Sequence, residues 1–127
     1  MKIYGIGTDI VKTSRIRKLI KNKSAIQRLF HNEEISKCKK IKNSFNCFAK
    51  RFAAKEAFSK ALGTGISNGV NFNEIIVLNE KNGKPFIKLL NKTKTIVKKR
   101  IKKNKYRISL SLTDEDNYAV AFVTISI

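Results

Sequence analysis

Phe45-Asn46-Cys47-Phe48-Ala49-Lys50-Arg51-Phe52-Ala53-Ala54-Lys55-Glu56-Ala57-Phe58-Ser59-Lys60-Ala61-Leu62 decides how this chain is read. The run has no Gly or Pro and is rich in Ala, Lys and Phe, so it predicts a long helix. Ser44 opens it, and Gly63 ends it as a left-handed stop. Phe45, Phe48, Ala49, Phe52 and Ala53 recur at three- and four-residue spacing and mark one packing face. Glu56 continues that face one turn beyond Phe52, and an ionised carboxylate turned toward a core needs a partner or a metal. Lys60 follows on the same side, either as a helical ion pair with Glu56 or as a phosphate ligand beside a metal. Arg51 and Lys55 flank the acid at other angles, which predicts a cationic surround.

A second misplaced acid lies near the start. In Ile3-Tyr4-Gly5-Ile6-Gly7-Thr8-Asp9-Ile10-Val11, a predicted strand, Asp9 is the only charge. Two acids of this kind in a chain with few acids suggest a hard cation such as Mg²⁺. A short helix is expected over Arg15–Ile20 after a cap at Thr13-Ser14, another over Ala25–Phe30 capped by Ser24, and a third opened by Asn32 with Glu33 and Glu34 near its positive end. Strands are expected at Glu74–Leu78 and Pro85–Leu90 around an Asn82-Gly83 turn. A basic surface helix over Thr93–Lys103 follows, then strands at Arg107–Leu112 and Tyr118–Ile125. This order gives an α+β fold: one domain spanning 1–127, with a long central helix packed on a mainly antiparallel sheet.

The 127 residues carry 28 Lys and Arg against 9 Asp and Glu, a net charge of +19. Such a field favours an anionic partner, although part of it reflects Lys-rich composition alone. The amino terminus runs straight into a strand pattern, and no stretch has the length of a membrane span, so neither a secretion signal nor a membrane partner is expected. Cys38 and Cys47 lack a C-x-x-C spacing, which together with the missing leader favours a reduced, cytoplasmic protein. His31 is the only histidine, excluding a histidine-based triad or a His-rich zinc site, and it reads as a solvated loop residue. Gly5-Ile6-Gly7 lacks the third glycine of a dinucleotide loop. The run Lys98–Arg107 has little aromatic interleaving, which weighs against a nucleic-acid partner; a small RNA- or ribosome-binding protein without catalysis is the alternative function.

The chain also resembles the holo-[acyl-carrier-protein] synthases, bacterial 4′-phosphopantetheinyl transferases. Three blocks carry the resemblance: Gly5–Val11 with Arg15-Ile16; Phe48–Leu62 with Gly63-Thr64-Gly65; and Asn82-Gly83-Lys84-Pro85 with Ser109–Asp114 and Tyr118-Ala119. It implies transfer of the phosphopantetheine arm of coenzyme A to a serine of acyl carrier protein, with release of 3′,5′-ADP. It implies catalytic roles for Asp9, Glu56 and Lys60, with Mg²⁺ held by Asp9 and Glu56 and Lys60 on the phosphates; with no histidine near a motif, Glu56 is also the expected acceptor of the serine proton, directly or through a metal-bound water. Coenzyme A contacts are implied for Lys60, Arg51, Gly63, Thr64, Gly65, Asn82, Gly83 and Pro85. Arg15 is implied at the carrier-protein surface, extended by Arg17, Lys18 and Lys21, and a homotrimer with sites between subunits is implied as well. Many relatives carry His where this chain has Ser109, and often where it has Asp114, so no role passes to either residue.

Overall fold

The computed structural model describes residues 1–64 and 69–127. Its axis is α4 (Ser44–Leu62), which follows β1 (Ile3–Lys12) and three short helices, α1 (Thr13–Leu19), α2 (Lys23–Leu29) and α3 (Asn32–Lys39). A single 3₁₀ turn at Phe72–Glu74 leads into the hairpin β2 (Ile75–Asn79) and β3 (Pro85–Leu89), then α5 (Asn91–Ile101), β4 (Arg107–Glu115) and β5 (Tyr118–Ser126). All pairing is antiparallel, in two pieces: a sheet ordered β1-β5-β4 and the separate β2-β3 ladder.

The α+β reading and nearly every expected element stand. The differences lie at ends and caps. The caps of α2 and α3 are Asn22 and His31 in place of Ser24 and Asn32, while α4 starts at Ser44 as expected, with Asn43 as its cap; each capping side chain accepts a backbone N–H of the first turn. His31 is therefore a capping residue, and Glu34 closes the box by accepting the His31 N–H at 3.0 Å. Helix α1 starts at Thr13 with no side-chain cap. Gly63 does end α4 in the left-handed region, at φ 85°. Arg100 of α5 then donates to the carbonyls of Leu62 and Gly63 at 3.0 and 3.1 Å, so this member of the basic run covers a helix end rather than facing solvent.

The expectation of one packing face on α4 is overturned, because the helix is buried almost all round. The sheet covers one side, while α1, α3 and the β2 region cover the rest. Sheet packing is very close. The helix-facing positions of β1 are Gly5, Gly7, Asp9 and Val11, paired with Ile125, Val123, Ala121 and Ala119 of β5. A Cβ at Gly5 or Gly7 would stand 1.9 Å from the carbonyl oxygen of Ala61 or Ala57. These glycines serve contact between strand and helix, and the alanines of α4 serve it from the other side.

On the opposite flank, Lys55 is fully buried, overturning its expected place in a cationic surround. Its ammonium donates to Glu34 Oε1 at 2.6 Å and to the carbonyls of Phe72 and Ile75 at 2.7 Å each. Glu34 is equally buried and accepts the Val77 N–H through Oε2 at 3.0 Å. Burial pushes the Lys55 pKa down to about 8 against the opposing pull of Glu34, so the ammonium persists at neutral pH. Cys38 and Cys47, expected as thiols, form a disulfide between α3 and α4, since both face the same buried seam with Cα atoms 5.4 Å apart.

Removing one member of a buried ion pair strands the other charge, so Lys55→Met should lower the unfolding free energy by about 3–5 kcal/mol, read from the urea midpoint. Lys55→Met combined with Glu34→Leu should recover part of that loss. A wild-type midpoint for Lys55→Met alone would show that the pair does not hold α3 and β2 to α4.

Candidate active site

Because Gly5 and Gly7 let β1 lie on α4, the next helix-facing residue of the strand, Asp9, arrives beside the last turns of the helix. Lys60 reaches across and donates to Asp9 Oδ1 at 3.2 Å and to the Thr8 carbonyl at 2.9 Å. The Lys60 ion pair is thus with Asp9 across the interface, not the helical pair with Glu56 that spacing allows. Glu56 is half-buried one turn earlier, and its carboxylate accepts no hydrogen bond among the described residues. Burial, then the neighbouring charge of Asp9, raises its pKa above the usual carboxylate range, while Lys60 and Arg15 oppose the shift.

The two acids singled out in the sequence therefore share one site, with two cations beside them. Paired carboxylates left short of donors are the ligands that Mg²⁺ accepts, since it takes one or two protein carboxylates and fills its remaining positions with water and phosphate oxygens. No third His, Cys, Asp or Glu joins them among the described residues, so substrate and water would have to complete the coordination.

A second feature lies along α4 toward its N-terminus. A cavity of about 490 Å³ is lined by Lys37, Cys47, Lys50, Arg51, Gly83 and Asp114, among others. Arg51, expected as an exposed cation, is only 4% accessible. Its Nη2 donates to Asn79 Oδ1 at 3.1 Å, an oxygen that also accepts from Lys37 Nζ at 2.7 Å. Asn79 Nδ2 donates in turn to the Gly83 carbonyl at 3.0 Å, so one side chain ties α3, α4 and the hairpin together. Burial, then proximity to Arg51, lowers the Lys37 pKa. Asp114 pairs with Lys50 at 3.4 Å and accepts from Asn46 Nδ2 at 3.0 Å.

Of the expected coenzyme contacts, Arg51 and Gly83 meet in this cavity. Asn82 instead accepts the Lys84 N–H within the turn, and Pro85 pairs with Asn79 at the start of β3. Gly63 and the half-buried Thr64 sit past the far end of α4, near Lys60, and Gly65 lies outside the described residues. Asn79 and Lys37 were missed because their partners are distant in sequence, and an Asn at a strand end has no periodic signal. Lys37 and Lys50 were each hidden in a basic stretch.

Of the residues expected at the carrier-protein surface, Arg15 stacks over the Phe52 ring at 5.7 Å and contributes to the field at Glu56. Arg15 and Lys18 line a groove of about 540 Å³ between α1 and α2. Arg17 turns onto the Phe45 ring at 4.5 Å, and Lys21 is exposed just beyond α1.

The family model of the 4′-phosphopantetheinyl transferase superfamily matches residues 5–123. A holo-[acyl-carrier-protein] synthase of Pelagibacter ubique is 50% identical over 125 residues, covering 98% of each chain. The crystal structure of the Neisseria meningitidis holo-[acyl-carrier-protein] synthase superposes with a TM-score of 0.86 at 38% identity, covering 98% of this chain and 99% of that one. A Bacillus anthracis holo-(acyl-carrier-protein) synthase, solved in complex with CoA (3′,5′-ADP), superposes with a TM-score of 0.80 at 33% identity, covering 99% of this chain and 98% of that one. With the match running along nearly all of its length, this chain belongs to the 4′-phosphopantetheinyl transferase superfamily.

Proposed function

We propose that this chain transfers the 4′-phosphopantetheine arm of coenzyme A to a serine of apo acyl carrier protein, releasing 3′,5′-ADP. The observation that carries the reading is the meeting of Asp9, Glu56 and Lys60 across the β1–α4 contact, in a chain half-identical to a synthase so named. The serine oxygen attacks the phosphorus that bears pantetheine, and the bond from that phosphorus to the nucleotide breaks. Such transfer depends on positioning and on neutralising charge over the phosphate oxygens. Asp9 and Glu56 would hold Mg²⁺, which when bound supplies that neutralisation.

The remaining work falls to the chain's own groups. Lys60, fixed by Thr8 and Asp9, has a further N–H to give to a phosphate oxygen. Glu56 takes the serine proton, directly or through a water, since the chain's single histidine caps α3 and offers no alternative base at the site. Arg51 and Lys37 receive the nucleotide end of coenzyme A in the 490 Å³ cavity. Arg51 lies nine residues before Lys60, roughly 13 Å along the helix, a span the extended coenzyme covers. Gly63, Thr64 and Gly65 border the pantetheine side, and the Asn82–Pro85 turn borders the adenine. Arg15, Arg17, Lys18 and Lys21 present positive charge to an acidic carrier protein.

Residues 1–127 act as one domain in this reading, supported by one apolar cluster that draws on β1, β2, β3, β5, α1, α3, α4 and α5, with Ile108, Leu110 and Leu112 of β4 packed against it. Three copies join through the outer face of the β1-β5-β4 sheet. There Ile6, Ile10 and Phe122 are 61%, 63% and 45% exposed, an apolar face of the kind that a second subunit covers. The cytoplasmic assignment rests on the sequence; no helix among the described residues is long and apolar enough to cross a membrane.

Intact-mass spectrometry of apo carrier protein incubated with this protein, coenzyme A and Mg²⁺ should show the gain of one phosphopantetheine arm, absent with EDTA. Asp9→Asn and Glu56→Gln should each abolish the gain while leaving the fold intact; full activity in either would remove that residue from the site. Arg15→Glu should raise KM for carrier protein more than KM for coenzyme A, whereas equal losses would contradict docking. Light scattering should give three chain masses for the wild type and a smaller assembly for Phe122→Arg, and a wild-type monomer would refute the trimer.

A further inference from the structure

The Cys38–Cys47 disulfide stands in the wall of the coenzyme cavity. Cys47 lines that cavity, while Cys38 is fully buried behind it on α3. Arg51 Nη1 donates to Cys47 Sγ at 3.2 Å and to the Cys47 carbonyl at 3.4 Å, while its Nε, also buried, has no partner. The covalent link joins α3 to α4 where the two helices bring Lys37 and Arg51 onto the same Asn79 oxygen. The disulfide thus acts on two of the cavity's cations, holding α3 in place under Lys37 and leaving Arg51 beside an uncharged sulfur.

We propose that this disulfide positions Arg51 and Lys37 for coenzyme A, so that its oxidation state sets coenzyme affinity. The proposal rests on coenzyme A occupying that cavity. A dithiol supplies the electrons: its thiolate attacks Cys47 Sγ, the cavity-side sulfur, and Cys38 leaves as a thiolate that takes up a proton. The dithiol's second sulfur then displaces Cys47, leaving two protein thiols and one oxidised dithiol. In the reduced protein, Cys47 faces a guanidinium, which favours its thiolate. That anion draws on the Arg51 charge otherwise available to a phosphate, and α3 loses its covalent tie to α4. A reversible disulfide of this kind fits a compartment where stable structural disulfides are rare.

The test uses the wild-type protein, oxidised or reduced with dithiothreitol, and measures KM for coenzyme A, kcat and direct coenzyme A binding by calorimetry. Reduction should raise KM and Kd for coenzyme A by about an order of magnitude, the scale of one charge-assisted hydrogen bond, with kcat little changed. Cys38→Ser, whose altered side chain lies outside the cavity wall, should match the reduced protein and ignore dithiothreitol. Equal coenzyme affinity in both states would overturn the proposal, leaving the transfer reaction standing. Intact masses showing no disulfide under oxidising conditions would overturn it as well. Failure of both forms to bind coenzyme A with Mg²⁺ would remove the transferase reading, and the proposal with it.

Discussion

The contact between β1 and α4 is the constraint on which the rest depends. Carbonyl oxygens of Ala57 and Ala61 fill the space where side chains at Gly7 and Gly5 would stand. With that space shared, a strand residue two positions on lies beside the last turns of the helix, and Asp9, Glu56 and Lys60 converge from segments about fifty residues apart. The same geometry turns Ile6 and Ile10 outward, which accounts for an apolar strand whose isoleucines face away from its own core. One packing decision thus sets both where Asp9, Glu56 and Lys60 meet and which apolar side chains of β1 face outward.

The other flank of α4 is held by polar groups. A buried ammonium with three donors meets one carboxylate oxygen and two carbonyls, so each proton has an acceptor. This fixes the rotation of the helix from behind, and Glu56 is the next residue along. The positive charge is likewise less uniform than its total suggests. Lys55 and Arg51 are buried, Arg100 covers a helix end, and Arg15 and Arg17 lie on aromatic rings. Other cations remain on the surface, where their field favours anionic partners.

Much of this was legible from residue order. Periodicity gave the long helix and the half-buried β4, whose Ile108, Leu110 and Leu112 are the more buried positions, and Asn82-Gly83 gave the hairpin turn. Charge in apolar surroundings exposed Asp9 and Glu56. What escaped has a common cause. Glu34 read as a helix-start acid because its partner lies 21 residues away, and nothing local announces a pair at 2.6 Å. Lys55 and Arg51 read as surface cations because a single amphipathic face was assumed, whereas α4 is enclosed by elements from both halves of the chain. The caps of α2 and α3 slipped by one or two residues because Asn22 and His31 compete with equally good neighbours. The disulfide was missed because compartment was weighed without knowledge that two short segments face one seam.

The claim that β1 and α4 assemble one metal-and-phosphate site is tested most directly by calorimetric titration of coenzyme A into the wild-type protein, with Mg²⁺ and with EDTA. The account predicts binding at least about tenfold tighter with the metal, a difference of ~1.4 kcal/mol. That difference should vanish in Glu56→Gln although EDTA-state binding persists. Equal affinity with and without Mg²⁺ in the wild type would contradict it.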